Sequence, residues 1–518
     1  MRYKFKTRPY AHQREGIHFV FKQWKAGLGA ALLFEPRTGK SKTAIDSLAI
    51  LHHIAGVRKV LIVAPNRVLG TWVQEFALHC PLVVQTIIWD KDARKVPLPK
   101  TVGPYDLQVV IVNYEAFSTP GRRTKSGRRS RTTGRFKHRT ILRNWIGDEY
   151  AAAVIDEGHK IKSPSGKAAN AIVSMQPDFE YRLLLTGTPI TKARRAHDIY
   201  MLWQWVNPQR FQRWGATVEA FKNHCGIWTN RHGFPQWLRA KDSGMRDLQR
   251  GIHADGIVVR REDCFDLPPR SNRTVSIALS PTTARHYQEM AEEMVTRLES
   301  GDIAEASIPL VVTLRLLQIT SGFVGISEDG QPTVPHTLGN EKLLALQEIL
   351  EEEIIEREEK VVIAARFKYD LTHIEQLCAR LGIQSWSIRG GVSRSDSDRA
   401  IRSFKKYDDG PAAMIVQPSA GSLGIDLSSA SHMIWYSLTH SWVDWTQCCD
   451  RIALSSNPTT FTYLTVPHSV DSLTYEALQC DTDVSRAILN DPRSILLGGK
   501  NETPGSRGTR RRRENKIG

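Results

Sequence analysis

The stretch Ala30-Ala31-Leu32-Leu33-Phe34-Glu35-Pro36-Arg37-Thr38-Gly39-Lys40-Ser41 joins a short apolar run to a glycine-lysine-serine turn. The apolar run predicts a buried strand, and the residues after Ser41 follow a helical pattern. A loop between a strand and a helix N-terminus is where backbone N–H groups bind phosphate. Lys40 would then bind the β- and γ-phosphates, and the Ser41 hydroxyl would ligate Mg²⁺. The strict phosphate-loop pattern has a glycine where this chain has Phe34, so the segment alone leaves nucleotide binding open.

Further apolar runs lack alternating polar residues, which is typical of parallel strands covered by helices on both faces. They span 59–65, 107–114, 151–156 and 182–185 in the first half of the chain, and 361–365, 412–416, 432–436 and 461–466 in the second. Helical patterns separate them, for example at 42–54, 71–78, 341–358 and 371–381. This alternation predicts an α/β fold in which a parallel sheet with right-handed crossovers is built twice.

The acidic pair Asp156 and Glu157 ends one of these runs, at the carboxyl edge where open α/β sheets bind ligands. One carboxylate can hold Mg²⁺ while its neighbour polarises the attacking water. Adjacent acids also suit the start of a helix. Because Lys40 lies upstream and Thr186-Gly187-Thr188-Pro189 follows the next predicted strand, we favour catalysis.

The positive charge of the chain is concentrated in two segments. The net charge is +17, of which 119–140 carries +9 and 499–518 carries +5. Both segments are rich in Gly, Ser, Thr and Arg and cannot bury a core. They are solvated loops that aid solubility, or basic tethers that contact nucleic-acid phosphates without reading sequence. The predicted phosphate loop and acidic pair favour the second interpretation.

Membrane insertion and disulfide bonding are not expected. No apolar run approaches the roughly 20 residues of a membrane span, and the N-terminus has no secretory pattern. The seven cysteines include no Cys-x-x-Cys pair, which argues against disulfides and structural zinc and fits a reducing cytoplasm.

The motifs, in this order, resemble those of helicase superfamily 2, and within it the Snf/Swi-type DNA translocases, from Arg8 to about Asp491. The matching segments in the first half are 9–16 (adenine recognition), 64–76 (motif Ia), 156–163 (motif II, with Gly158 where alanine is usual), 186–189 (motif III) and 259–269 (linker). In the second half they are 314–319, a helix of the second insertion, and 419–427, which is similar to motif V. The compact insertions are similar to those of phage and bacterial members.

The resemblance implies two tandem RecA-like parallel-sheet domains with mainly helical insertions. The first would span 1–262, with an insertion at about 195–258 and the basic loop 119–140. The second would span 263–498, with a helical insertion at about 280–335, and 499–518 would be a disordered basic tail. The implied activity is ATP-driven tracking along duplex or branched DNA, with Mg²⁺, in a bacterial or phage-infected cytoplasm. An RNA-remodelling helicase and a weakly hydrolysing DNA-binding scaffold are the alternatives.

The resemblance also implies roles for individual residues. The nucleotide contacts would be Gln13, Thr38, Gly39, Lys40, Ser41, Gly424 and Asp426. The catalytic residues would be Asp156, Glu157, Gln447 and Arg451, and the metal ligands would be Ser41 and Asp156. The nucleic-acid contacts would be Arg67, Thr188, Arg315 and Ser419. The aromatic residues Trp72, Trp442 and Trp445 would stack on bases or pack internally, and packing is favoured.

The chain departs from the family in motif VI, whose pattern is Gln, three residues, Arg, two residues, Arg. Gln447 and Arg451 match, but Leu454 replaces the second arginine. That arginine is normally the finger that neutralises charge on the γ-phosphate, and such a finger raises the rate about 10³–10⁵-fold. Three interpretations stay open: Arg451 acts alone, a basic residue from elsewhere substitutes, or the motor is slow or inactive. The intact Lys40 and Glu157 favour a retained ATPase.

Overall fold

The computed structural model describes residues 3–90, 93–118, 137–187, 196–215, 217–231, 234–266, 268–299, 308–326, 334–421, 425–452, 455 and 457–479. These residues form two compact units. The first contains the described residues of Met1–Pro268, Ser422–Asp426 and Thr446–Leu454. The second contains those of Pro269–Gly421, Leu427–Trp445 and Ser455–Gly518. The domain boundary predicted at 262/263 lies a few residues before the division at Pro268.

A parallel sheet of seven strands forms the centre of the first unit, in the order β3-β4-β2-β5-β6-β1-β9. Its strands are β1 (Ala30–Phe34), β2 (Lys59–Ala64), β3 (Val84–Ile88), β4 (Leu107–Asn113), β5 (Ala151–Asp156), β6 (Tyr181–Leu185) and β9 (Gly256–Val259). The strands β7 (Gly226–Arg231) and β8 (Phe234–Ala240) form a separate antiparallel hairpin. Because β6 lies between β1 and β5, the carboxyl ends of these three strands are adjacent along one edge of the sheet.

Eight α-helices, counted over the described residues of the first unit, connect and cover these strands. They are α1 (Ala11–Lys25), α2 (Lys40–Ala55), α3 (Leu69–His79), α4 (Lys137–Ile146), α5 (Lys167–Val173), α6 (Ile199–Val206), α7 (Val218–Cys225) and α8 (Asp242–Asp255). Helices on both faces explain why the strands lack polar alternation. In β1, Ala31 and Leu33 belong to one buried core, while Leu32 and Phe34 belong to the core on the other face.

The second unit is built around a parallel sheet of six strands, in the order β10-β17-β16-β13-β15-β14. The strands are β10 (Arg270–Ser276), β13 (Lys360–Ala364), β14 (Gln384–Ile388), β15 (Ala412–Val416), β16 (His432–Trp435) and β17 (Thr459–Thr465). A small antiparallel pair is formed by β11 (Phe323–Ile326) and β12 (Val334–Thr337). The remaining helices are α9 (Pro281–Glu299), α10 (Ile308–Thr320), α11 (Glu341–Ile349), α12 (Lys368–Arg380), α13 (Arg394–Lys406), α14 (Pro418–Gly421), α15 (Trp442–Cys449) and α16 (Val470–Gln479).

The predicted α/β fold with two parallel sheets is confirmed. All eight apolar runs form strands, and the pattern at 341–358 is α11 continued by a π-helical segment, Leu350–Ile355. Within the two parallel sheets, the sequence patterns missed β3, β9, β10 and β14, and they also missed the antiparallel strands β7, β8, β11 and β12. The side chains of β3 are only half buried and those of β10 are mostly exposed, so neither strand forms a continuous apolar run.

Two predicted features lie largely outside the described residues. The basic loop 119–140 is described only from 137, where α4 begins, and the tail 499–518 is not described. Within the residues that are described, none of the helices combines the length and the apolar character that crossing a membrane requires.

Candidate functional site

The phosphate loop follows β1, and α2 begins at Lys40. Gly39 adopts a left-handed backbone with φ 87°, and a Cβ atom at this position would lie 2.1 Å from Nε2 of Gln13. Both the backbone and the close contact therefore require glycine. Thr38 is buried and donates its hydroxyl to the Glu35 carbonyl at 2.8 Å. Lys40 Nζ donates to the Phe34 carbonyl at 2.8 Å, so its ammonium lies over the loop.

Gln13, the predicted adenine contact, packs directly on this loop. Its Nε2 donates to the Thr38 carbonyl at 3.3 Å, and its Oε1 accepts from the Tyr10 backbone N–H at 3.0 Å. His12 also contacts the Thr38 carbonyl, at 2.9 Å. The segment at the start of α1 thus fixes the outer side of the loop.

The acidic pair lies at the carboxyl end of β5. Oδ1 of Asp156 accepts from the Glu157 backbone N–H and Oδ2 from the indole N–H of Trp72, each at 2.9 Å. The Tyr114 hydroxyl donates to the Asp156 carbonyl at 2.5 Å. Glu157 has a positive φ of 52°, and Oε2 of its side chain lies 3.3 Å from Nδ1 of His159. A non-glycine residue with positive φ is held there by its surroundings.

The two carboxyl groups experience opposite electrostatic environments. Burial raises the pKa of Asp156, and the negative charge of Glu157 adds to this, while Trp72 and Lys40 oppose it. Burial also works to raise the pKa of Glu157, but contacts with His159 and the charges of Lys40 and Arg451 outweigh it and hold this pKa below its usual value. Such a difference between neighbouring acids is typical of functional sites. Glu157 is therefore ionised over the whole neutral range.

Arg451 and Asp426, although far along the chain, belong to the first unit and reach the phosphate loop there. The Arg451 side chain is buried, and its charge acts on Glu157. Asp426 forms an ion pair of 2.6 Å with Arg37 of the loop. Gln447 is buried on α15. The first unit thus contains Lys40, the two carboxylates and Arg451 in one electrostatically connected group.

The glycine of the predicted motif III also lies against the loop. A Cβ atom at Gly187 would come within 3.0 Å of the Phe34 carbonyl, and the Thr186 N–H donates to the Leu32 carbonyl at 3.1 Å. The end of β6 therefore packs directly on the start of the loop. Thr188 itself, like Gly424 and Leu454, lies outside the described residues.

The residues present fit the Mg²⁺ that the resemblance implies. No group of three His, Cys, Asp or Glu side chains suited to a metal occurs in the part of the chain that the structure describes. Mg²⁺ usually takes one or two protein oxygens and completes its shell with waters and substrate phosphates. The carboxylate of Asp156 and the hydroxyl of Ser41 are hard oxygen donors of this kind, so the donor set suits Mg²⁺.

The predicted nucleic-acid contacts that the structure describes are divided between the two units. Arg67 is partly buried after β2, in the short helix Asn66–Val68, and burial lowers its pKa. In the second unit, Arg315 donates to the Gly325 carbonyl at 2.5 Å, and Ser419 is exposed on α14. Trp72 is 2% exposed, which agrees with the favoured packing role and not with base stacking.

The sequence patterns missed four side chains that support the site: Arg37, Trp72 as a hydrogen-bond donor, Tyr114 and Arg261. Arg261 binds Asp450 at 2.8 Å, and its backbone N–H donates to Glu35 at 3.0 Å. These partners are distant in sequence, so no spacing indicates them. Only Arg37 could have been suspected from the sequence, because it lies inside the predicted phosphate loop.

The fold and this site define the class of α/β proteins with a phosphate loop. The SNF2-related domain family matches residues 12–321, and the helicase conserved C-terminal domain matches 341–453. The chain belongs to the SNF2-related family.

Curated proteins and a solved structure are also similar to this chain, at low sequence identity. A probable chromatin-remodeling complex ATPase chain of Oryza sativa subsp. japonica is 22% identical over 84% of this chain and 36% of its own length. An ATP-dependent DNA helicase of Arabidopsis thaliana is 24% identical over 82% of this chain and 54% of its own length. The Sulfolobus solfataricus SWI2/SNF2 ATPase core in complex with dsDNA is similar, with a TM-score of 0.42 and 20% identity. The match covers 96% of this chain and 95% of that chain. The chain spans little more than a third of the length of the first relatives that it matches.

Proposed function

We propose that this protein is an ATP-dependent DNA translocase that hydrolyses ATP when it binds duplex or branched DNA. The observation that carries the proposal is the connection of Lys40, Asp156, Glu157 and Arg451 within the first unit. A phosphate-binding cation, a metal-binding carboxylate, an ionised base and a second cation are the parts that phosphoryl transfer to water requires. Membership in the SNF2-related family agrees with this assignment.

Each part of the site has a task in this reaction. The loop N–H groups and Lys40 would bind the phosphates of ATP, and Gln13 would contact the base. When bound by Ser41 and Asp156, Mg²⁺ would supply positive charge to the phosphates. Glu157, kept ionised, accepts a proton from the attacking water.

The remaining side chains prepare this arrangement. Trp72 and Tyr114 orient Asp156 through its carboxylate and its carbonyl. Arg451 places a buried positive charge near Glu157, where it would neutralise charge that develops on the γ-phosphate. Asp426 binds Arg37 of the loop, and Gln447 is proposed as a further catalytic residue.

DNA is the proposed partner because the chain is positively charged and because it is similar to proteins that act on DNA or chromatin. The relatives named above are a probable chromatin-remodeling ATPase chain and a DNA helicase. The segments 119–140 and 499–518 carry most of the net charge of +17, which suits contact with phosphates irrespective of sequence. Arg67, Thr188, Arg315 and Ser419 are the proposed nucleic-acid contacts of the folded parts.

We place the protein in the cytoplasm. Cys80, Cys225, Cys264 and Cys378 are free thiols, which is the usual condition in a reducing compartment. Most of them, including Cys80 and Cys378, are buried in the cores.

A phosphate-release assay with a panel of nucleic acids tests the proposal. Duplex and branched DNA should stimulate turnover more than single strands or structured RNA. Lys40→Ala and Glu157→Gln should abolish the stimulated turnover, whereas Lys59→Ala, which alters a buried lysine away from the loop, tests for loss of folding alone. Stimulation by RNA instead of DNA would identify an RNA-remodelling helicase. Tight DNA binding with negligible phosphate release would identify a scaffold, and normal turnover of Lys40→Ala would refute the assigned roles.

A further inference from the structure

Arg37 lies in the phosphate loop with a backbone conformation that side chains rarely adopt. Its φ is 68°, in the left-handed region that favours glycine. Only 15% of its side chain is exposed. A strained residue persists where its surroundings hold it, and such residues cluster at functional positions. The contacts of the Arg37 side chain should therefore indicate what the strained backbone supports.

The Arg37 guanidinium binds two segments from the far end of the chain. Nη1 forms an ion pair with Oδ1 of Asp426 at 2.6 Å. Nη2 donates to the Ile425 carbonyl at 3.0 Å and to the Arg451 carbonyl at 3.1 Å. These two acceptors are 388 and 414 positions away along the sequence. One side chain thus connects the loop to both segments, and all of these residues belong to the first unit.

A second guanidinium converges on the same carbonyl oxygen. Nη1 of Arg451 donates to the Ile425 carbonyl at 3.3 Å, next to the bond from Arg37. Two like charges repel at this separation, and the pair is held because Asp426 neutralises Arg37. Arg37 therefore donates both to the backbone carbonyl of Arg451 and to the Ile425 carbonyl, which the Arg451 side chain also binds.

The contact between Arg37 and Arg451 bears on the arginine that is missing from motif VI. The family pattern has a second arginine three residues after Arg451, where this chain has Leu454. The second guanidinium beside Arg451 comes instead from the phosphate loop, at Arg37. Because these contacts of Arg37 are with protein atoms, they favour the first of the three interpretations that the sequence left open, in which Arg451 alone acts on the γ-phosphate.

We propose that Arg37 is a positioning residue, which holds Arg451 beside Glu157 for the reaction. The inference rests on the proposed ATPase function and assigns Arg37 no contact with the substrate. A planar guanidinium with five donors can engage three acceptors at once, which a lysine ammonium on a flexible stem does less well. Loss of the three contacts should therefore misplace Arg451 without removing Lys40 from the loop.

Glycine at position 37 is the informative substitution. Arg37→Gly removes the guanidinium and its three contacts but also relieves the left-handed backbone, which offsets part of the loss, so the variant should still fold. Glu358→Gly is the matched control, since Glu358 is an exposed residue of the second unit with a φ of 51°. Arg37→Lys keeps the charge but not the planar fork of donors.

Two measurements separate positioning from a purely structural role. The first is hydrogen exchange of the amides in 446–452, followed by mass spectrometry, which needs no turnover. It should be about tenfold faster in Arg37→Gly than in the wild type, because local opening becomes easier. The second is DNA-stimulated turnover, in which kcat should fall by about 100-fold while KM for ATP changes little. Arg37→Lys should recover part of both effects, and Glu358→Gly should show neither.

The outcomes are decisive in each direction. Faster exchange together with a lower kcat and a steady KM supports the proposal. Unchanged exchange in 446–452, or faster exchange with wild-type kcat, overturns it. If the wild-type protein shows no turnover at all, the proposed function fails, and the exchange result still decides whether Arg37 holds the segment that contains Arg451.

Discussion

The substitution Trp72→Phe removes one hydrogen bond from the acidic pair and leaves an aromatic ring in place. The indole N–H of Trp72 donates to Oδ2 of Asp156 at 2.9 Å, and the tryptophan is 2% exposed. Phenylalanine fills most of the same space but has no donor. The carboxylate of Asp156 then loses the side-chain contact that opposes the effect of burial on its pKa.

The expected effect follows from the energy of a hydrogen bond to a charged group, about 1.5–3 kcal/mol. Such residues, which orient a metal ligand, typically change metal affinity or activity about 10–100-fold. We therefore expect the Mg²⁺ concentration for half-maximal turnover to rise at least about tenfold. The pKa of Asp156 is already raised by burial, and loss of the N–H raises it further. Since the ionised form binds Mg²⁺, the acid limb of the pH–rate profile should move to higher pH.

The assay is ATP turnover as a function of Mg²⁺ concentration and pH, with Mg²⁺-dependent binding of a fluorescent ATP analogue as a measurement without hydrolysis. Trp145→Phe is the matched control. Trp145 is also 2% exposed and in the first unit, and its indole N–H donates to Gln108 at 2.5 Å. Both variants lose a buried hydrogen bond and some packing, so their stabilities should fall similarly. Equal Mg²⁺ dependence in Trp72→Phe and Trp145→Phe would refute the positioning of Asp156 by Trp72.

Two further predictions concern stability. Gly158→Ala places a Cβ atom 2.5 Å from Cδ1 of the fully buried Leu184, so we expect the free energy of unfolding in urea to fall by about 1–3 kcal/mol. In a Leu184→Ala background the same substitution should cost less, and an equal cost in both backgrounds would contradict this cause. In the second unit, burial raises the pKa of Asp370 from 3.8 to about 7, although Ser437 opposes the shift. The native state then binds more protons than the unfolded state between about pH 4 and pH 7, and the free energy of unfolding should fall as pH rises through this window. Asp370→Asn should flatten that dependence, and an unchanged slope in urea unfolding would exclude Asp370 as its source.

Strongly periodic elements could be predicted from the sequence because their signal is local. The run 151–156 is a strand with these same bounds, and the helical pattern at 42–54 lies within α2. Both elements have continuous apolar faces, which the order of residues alone determines. The edge strands β3 and β10 were missed, since one-sided burial leaves few apolar positions to recognise.

The individual residues of the site could also be named in advance where a short motif carries the chemistry. Lys40 begins a helix after a buried strand, and Asp156 ends another, as their spacing indicates. What no spacing predicts is a contact between distant segments. The indole of Trp72 is 84 positions from Asp156, and the structural reason for glycine at 158 is a leucine on β6.

The sequence by itself determined the two parallel sheets, the family and the residues of the phosphate loop and acidic pair, because strand period, turn chemistry and motif spacing are properties of neighbouring residues. Only the tertiary structure decided how these residues are supported. Burial and charge, which set the pKa of Asp156 and Glu157 in opposite directions, depend on everything packed around them. The bonds from Arg37 to residues 425, 426 and 451 exist because folding brings segments about 400 positions apart to one guanidinium group.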